Sequence, residues 1–480
     1  MLERLKSIFK SRTPPEQHFH RQIRARFDAA QTTRDNSRHW AMADYMSADQ
    51  EAKPEVRRIL RQRSRYEIAN NSYAKGLVQM LANDTIGTGP RLQVLTEDET
   101  YNDVVETEFA LWAEAVKLPQ KLRMMRIARC QDGEAFAALV TNPKVRHPVK
   151  MDVQLVEADR VAGKMRWEDD ENSVDGITYD RWGNPVDYRI LKYHPGDVKF
   201  ATGDEAFHIP AEFMLHVFRA DRPELHRGVP ELTAALPLFA QLRRYNLAVL
   251  SAAEAAADFA AILYTDAPPD GEAEKVPPMD ALELERNMML TVPAGWKMAQ
   301  LDSKQPTANH AEFVKIILSE IARCAVSTYG SVSGDFSGHN YASGRLDNQL
   351  YHKSILVDRS FWESEALNRI FDCWYREYAL AEGNPLEQRT PRHTWFWDGF
   401  VHVDPTKEAT AQETRLLNHT TTLAAECAKD GRDYMSVLRQ RSKEIKLMRQ
   451  MGIPIPGESR PRQSTESGKP DEKETKKDDE

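Results

Sequence analysis

The chain has 480 residues and a net charge of −8, from 65 Lys/Arg and 73 Asp/Glu. That length suits about three domains, and 41% hydrophobic with 29% charged residues describes a globular protein, neither fibrous nor wholly disordered. The balance excludes a polycation that coats nucleic acid. The charge is uneven, however: residues 1–66 carry 15 Lys/Arg against 8 Asp/Glu, with a cluster at Arg57, Arg58, Arg61, Arg63 and Arg65. That cluster reads as a solvated helix face or as a contact for a phosphate backbone or acidic partner.

Along the chain, Arg57–Ala82 is expected to be one long helix ending at the Gly/Pro turn Thr85–Pro90. From about Met151 to Phe218, short β-like runs at 153–156, 176–179, 186–191 and 213–218 alternate with turns such as Trp182-Gly-Asn-Pro185. The body is therefore α+β. An Ala/Leu-rich helix is expected over 229–264, with Pro230 in its first turn and a kink allowed at Pro237. Residues 265–307 hold six prolines and a β-like run at 289–292, and read as a small insertion. Helix resumes near Asn309, with Phe313, Ile316, Ile317 and Ile321 on one face.

Residues 327–343 follow: Ser327-Thr-Tyr-Gly-Ser-Val-Ser-Gly-Asp-Phe-Ser-Gly-His-Asn-Tyr-Ala-Ser343. Three glycines, with Gly344 next, and five serines leave too little apolar bulk for a core, so a mobile loop between rigid helices is expected. A long helix from Arg345 to about Ala381 carries an apolar stripe at Leu346, Leu350, Val357, Phe361, Leu367, Phe371, Trp374 and Tyr378, over about 50 Å. Helices are expected over 405–451, broken at Asp430-Gly-Arg432, and the charged tail 457–480 reads as disordered.

Templates for catalysis fail. Gly330-Ser-Val-Ser-Gly334 has the spacing of a nucleophile elbow with Val332 at the nucleophile position, and Gly334-Asp-Phe-Ser-Gly338 places Phe336 there. There is no GxxxxGK[ST] phosphate loop and no HExxH; His18 and His20 suggest no metal site. No cofactor and no enzymatic activity are expected. Cys130, Cys324, Cys373 and Cys427 lie far apart, so free thiols in a reducing compartment are expected. No signal peptide or membrane span is visible, which points to a soluble, intracellular chain.

Several motifs occur in the order found in the portal proteins of tailed bacteriophages, and the chain resembles their lambda-type family over about residues 20–455. The N-terminal resemblance lies in Arg63-Ser-Arg65, Asn70-Asn-Ser-Tyr-Ala-Lys-Gly76 and Asn83-Asp-Thr-Ile-Gly-Thr-Gly89. The middle resembles it in Leu155-Val-Glu-Ala-Asp-Arg-Val161, Gly176-Ile-Thr-Tyr-Asp180 with Gly183-Asn-Pro185, His216-Val-Phe-Arg-Ala-Asp-Arg-Pro223 and His226-Arg-Gly-Val-Pro230. The C-terminal part does so in Val401-His-Val-Asp-Pro-Thr-Lys-Glu408 and Gly431-Arg-Asp433, with Glu444 beyond. One departure is Phe400-Val-His-Val-Asp-Pro405, where relatives often have Trp-Val-Asp-Pro.

The resemblance implies an α/β wing over 1–228, stem helices at 229–264 and 308–329, a clip at 265–307 and a tunnel loop at 330–344. A spine helix and return to the wing would occupy 345–404, and a helical crown 405–456. It further implies a ring, expected as twelve subunits, at one capsid vertex, through which double-stranded DNA passes non-specifically during packaging and ejection. The expected partners are the ring's own copies, the terminase large subunit, which would carry ATP hydrolysis, and head–tail connector and capsid or scaffold proteins, with no membrane. Assembly would occur in the host cytoplasm and residence in the virion. The channel contact would fall on Ser331, Ser333, Gly334, Ser337, Gly338, His339, Asn340 and Tyr341. A segment without Lys or Arg suits a sliding contact, because each phosphate grip adds salt-dependent affinity. A structural capsid or scaffold protein, or a non-viral helical adaptor without a channel, is the alternative.

Overall fold

The computed structural model describes residues 38–163, 172–199, 205–258, 262–265, 296–299, 310–338, 340–383, 389–400 and 404–455. The expectations for His18, His20, the 289–292 run, most of the 265–307 insertion, His339 and the 457–480 tail lie outside these residues. Residues up to Glu51 form a unit of their own, whose described part contains one helical turn, Ala48–Glu51.

The second unit starts with α1 (Pro54–Asn70) and α2 (Ser72–Ile86), where one helix was expected. Asn71 makes the break. Its backbone is extended, and its side chain accepts from the Tyr73 and Ala74 amides at 3.0 and 3.4 Å, capping α2. β1 (Arg91–Val94) follows, then α3 (Glu99–Ala115) and α4 (Leu118–Asp132). β2 (Glu134–Thr141) is the middle strand of an antiparallel sheet, between β3 (Met151–Val156) and a later strand. Next come the short β4 (Ser173–Val174), β5 (Ile177–Tyr179), β6 (Pro185–Leu191) and β7 (Ala206–Pro210), which form a four-stranded sheet in sequence order. β8 (Met214–Phe218) is β2's second partner. The α+β class and the β-like runs of 151–218 are thus present, while β1 and β2 lay outside the expected strands.

The arginine cluster is neither a solvated face nor a docking surface: it splits. Arg58 and Arg63 are exposed, but Arg57 and Arg61 are buried, pairing with Asp175 and Glu134 respectively. Arg61 also reaches Asp159 at 3.1 Å, and Arg65 reaches Asp132 at 2.7 Å. Arg227 enters the same knot, 2.8 Å from Glu134 and 3.0 Å from Asp175. Burial alone would raise the Glu134 carboxyl, but Arg227 and Arg61 hold it well below the usual carboxylate range. The motif His226-Arg-Gly-Val-Pro230 thereby acquires a physical reason. Its arginine ties β2 to the loops at Val161 and Asp175, and a Cβ on Gly228 would collide with the Gly133 carbonyl oxygen.

Beyond this crossing, α5 (Leu236–Asp258) is preceded by a single tight turn at Thr233–Ala235, so regular helix begins after the expected position. β9 (Ile262–Thr265) pairs antiparallel with β10 (Trp296–Ala299), which lies within the expected insertion. α6 (His310–Cys324), the short α7 (Tyr329–Ser333) and α8 (Tyr341–Trp362) follow, and α8 passes through a wide π-type turn, Glu363–Leu367, into α9 (Asn368–Ala381). β11 (His393–Phe396) pairs with β1, Arg91 opposite Phe396. Helices α10 (Pro405–Leu417), α11 (Leu423–Lys429) and α12 (Tyr434–Met451) complete the described chain, with the expected break at Asp430–Arg432.

One core gathers Phe109, Trp112, Phe371, Trp374, Trp395 and strand residues such as Ala137 and Val153. A second gathers Leu77, Leu81, Phe239, Leu318, Ile321, Val332, Tyr351 and Ile355, joining α2, α5, α6, α7 and α8. The long helix's stripe divides between burial and solvent. Leu367, Phe371, Trp374 and Tyr378 are buried, whereas Leu346, Leu350 and Val357 are 62%, 69% and 65% exposed. The four cysteines are free thiols, two of them buried. Among the described residues, no helix is long and apolar enough to cross a membrane.

Candidate functional site

The Gly/Ser segment lies between α6 and α8, and both helices hold it through the second core. α6 ends in a Schellman arrangement, with the Ser327 amide bonding the Ala322 carbonyl at 2.8 Å and that of Val326 bonding Arg323 at 3.2 Å. Val326 fills the left-handed position usually given to glycine, at φ +52°.

The first half of the expected loop is a built structure. Thr328 caps α7 by accepting from the Ser331 amide at 3.3 Å, and its hydroxyl lies 2.9 Å from that of Ser331. Ser333 donates to the Tyr329 carbonyl at 2.8 Å and accepts from the Asp335 amide at 3.0 Å. Gly334 closes the turn in the left-handed region, φ +71°, its amide bonding Gly330 at 2.8 Å. Val332 is buried in the core, and Gly330 lies against the ring of Phe336, which leaves no room for a Cβ. The serine pattern that suggested freedom is in part a capping pattern.

The same holds at the far end. Asn340 and Ser343 form a reciprocal capping box on α8, at 2.8 and 3.0 Å. Of the expected contact residues, Ser331 and Ser333 are half-buried parts of α7, and Asn340 is an exposed cap. Gly334, Ser337 and Gly338 are exposed at the tip, Ser337 bonded through its amide to Asp335 at 2.9 Å. His339 and the Tyr341 side chain are not among the described groups. Phe336, 60% exposed, is the one large apolar side chain of this tip, and the sequence reading gave it no role.

Nor is the segment's setting uncharged. Lys315 on α6 lies with its Nζ 5.4 Å from the Tyr329 ring centre and within 4 Å of where a Gly338 Cβ would be. Lys315 and Asp335 line an open groove of about 810 Å³ with Glu312, Glu320 and Arg323. Counting charges within 327–344 alone missed these cations, because they come from α6, outside the segment.

Below the segment a buried ionic cluster fixes α8. Arg126 reaches Glu231 and Asp358 at 3.0 Å each, and Arg129 reaches them at 2.8 and 2.5 Å. Burial would raise the Glu231 carboxyl, but the two arginines bring it down to about 2. Arg359 adds bonds to the carbonyls of Thr85, Asp84 and Asp398. The long helix is thus anchored at 358–359 to α4, to the end of α2 and to the approach to α5. Next to the cluster lies a groove of about 480 Å³, lined in part by Val326, Leu350, Val357 and Phe361.

The described geometry is two anchored helices presenting a capped loop, with exposed apolar residues beside it. The model of the lambda family of phage portal proteins matches residues 33–357, and the chain belongs to that family, a structural component of the phage capsid. It is 26% identical over 430 residues to the probable portal protein of Halomonas phage phiHAP-1, covering 83% of this chain and 82% of the relative. Among solved structures it is similar to a chain from the neck of an empty gene transfer agent particle computed with C6 symmetry. That likeness has 14% identity, a TM-score of 0.46, and covers 77% of this chain and 92% of the other. A chain from the virion of a native gene transfer agent particle is similar at 13% identity and a TM-score of 0.43, over 78% and 93%.

Proposed function

We propose that copies of this chain close into a ring, expected as twelve subunits, forming the channel through which double-stranded DNA enters and leaves the capsid. The observation that carries the reading is the family match over residues 33–357, which spans α5, α6 and α7 and most of α8. The exposed Leu346, Leu350 and Val357 support it, since they form one helix face that a neighbouring copy would cover. In this reading α5 and α6 are the stem, 265–307 the clip, α8 and α9 the spine, α10–α12 the crown, and residues 1–228 with the return through 389–404 the wing.

DNA would meet the loop tip, Gly334–Gly338, with His339, Asn340 and Tyr341. Ser331 and Ser333 would support the tip from α7. A tip without Lys or Arg allows passage, while Lys315 stands behind it. The terminase large subunit would dock on the ring and supply ATP hydrolysis, and connector, capsid or scaffold proteins would complete the vertex. Assembly would take place in the host cytoplasm. The test is negative-stain microscopy with light scattering on the purified chain. Rings with a central hole are expected, and a stable monomer at micromolar concentration would overturn the reading.

A further inference from the structure

Four of the five cations of α12 are placed on one side of the helix. Between 432 and 449 the chain has six Lys/Arg and two Asp/Glu, although it is acidic as a whole. Arg439, Lys443, Lys446 and Arg449 are spaced four, three and three residues apart, which puts them on one face over about 15 Å of helix. All four are exposed, whereas Tyr434, Val437, Arg441, Ile445 and Met448 on the opposite face are half-buried. None of the helix's 18 residues is fully buried. The helix is nonetheless held firmly to the body. Asp433 caps it and accepts from Gln93 at 2.9 Å, Arg439 pairs with Asp103 at 2.5 Å, and Arg91 bonds the Gly431 carbonyl at 2.5 Å.

We infer that this face of α12 binds the phosphate backbone of duplex DNA without regard to sequence. Charge complementarity names the occupant. Exposed Ser442 and Gln450 lie between these cations, exposed Leu438 and Leu447 flank them, and Asp103 pairs with Arg439, which leaves Lys443, Lys446 and Arg449 as the phosphate-facing cations. A face contributed by a second copy would be expected to have an apolar, lysine-poor centre, whereas Lys, Arg, Ser and Gln are the side chains that contact phosphate. The proposal rests on the DNA-channel reading for the presence of DNA. It assigns a static, electrostatic contact to the C-terminal helices, distinct from the loop tip, which has no Lys or Arg.

The experiment compares the full chain with K443Q/K446Q and, as a control, with K75Q/K144Q, which alters two exposed lysines elsewhere. Binding of a labelled duplex of mixed sequence is followed by anisotropy between 50 and 200 mM salt, with the assembly state measured in parallel. Each phosphate contact contributes about 0.9 to the logarithmic salt slope, so losing two contacts should lower the parent's affinity gain from 200 to 50 mM by about 12-fold or more. The control should behave as the parent. An unchanged slope in K443Q/K446Q overturns the inference while leaving the ring reading intact. A changed assembly state with an unchanged slope also overturns it, and assigns the face to a subunit contact. Absence of rings in the parent counts against the channel reading instead.

Discussion

Val332 separates a core-packed segment from a free loop, and its truncation to alanine measures the difference. The side chain is 6% exposed within the cluster that includes Leu318, Ile321, Tyr351 and Ile355. Val332→Ala removes two methyl groups, about 1.6 kcal/mol of transfer free energy at about 0.8 per group. A cavity term adds to this, because the wall is built from several separate helices that cannot all close in. About 2 kcal/mol is expected, read from the urea midpoint of the full chain by circular dichroism. Phe336→Ala, at a 60% exposed site, should cost less than about 1 kcal/mol yet reduce DNA retention in assembled particles. Removing the whole of 332–340 would not separate these effects, since it takes away both a core residue and the Asn340 cap. A loss below about 0.5 kcal/mol for Val332→Ala would show that 329–333 does not pack, and the loop would revert to a structureless tether.

Glu134→Gln should cost about 3–5 kcal/mol, since it removes the fully buried carboxylate that Arg227 and Arg61 share and leaves them only Asp175 and Asp159; a fall below 1 kcal/mol in denaturant unfolding would refute the buried knot. Acid should destabilise the chain in two windows. Burial lowers the His216 imidazole below its usual 6.5, so below that pH the unfolded chain takes up a proton that the folded one refuses, and stability falls as pH drops. Glu231, at about 2 against 4.5 when free, contributes stability that is present above 4.5 and lost on further acidification; a flat urea midpoint from pH 7 to 3 would refute both. Leu350→Glu with Val357→Glu should leave the monomer's circular dichroism unchanged but abolish rings on grids, and intact rings would remove this face from the interface. Purified chain should turn over no ATP without a terminase.

What the sequence made legible follows from the range of the forces involved. The β-like runs of 151–218, the helix over 310–324 and the break at 430–432 were readable because periodicity and Gly/Asp turns act over a few residues. The split at Asn71 was legible in principle, since Asn followed by Ser and Tyr is a cap signal, but the strong helix formers on either side masked it. β1 was not legible, because it is defined by its partner β11, about 300 residues away. The arginine cluster was misread for the same reason. Asp132, Glu134, Asp159 and Asp175 neutralise it from 67 to 118 residues further on, and no local pattern shows that distance.

The long helix shows how periodicity can be right about a face and silent about its partner. The seven- and four-residue spacing placed Leu346, Leu350, Val357, Leu367, Phe371 and Trp374 on related sides. Yet the chain buries the C-terminal half in its own tryptophan-rich core and leaves the N-terminal half in solvent. Apolar spacing reports only that a surface is to be removed from water, by this chain or by another. The ionic anchor at Asp358 and Arg359 lies at the boundary, fixing the helix so that Leu346, Leu350 and Val357 cannot turn inward. A helix held in that orientation exposes its apolar face at a cost that burial against a neighbouring copy would offset. It also sets the height at which the capped loop at its start stands above the core.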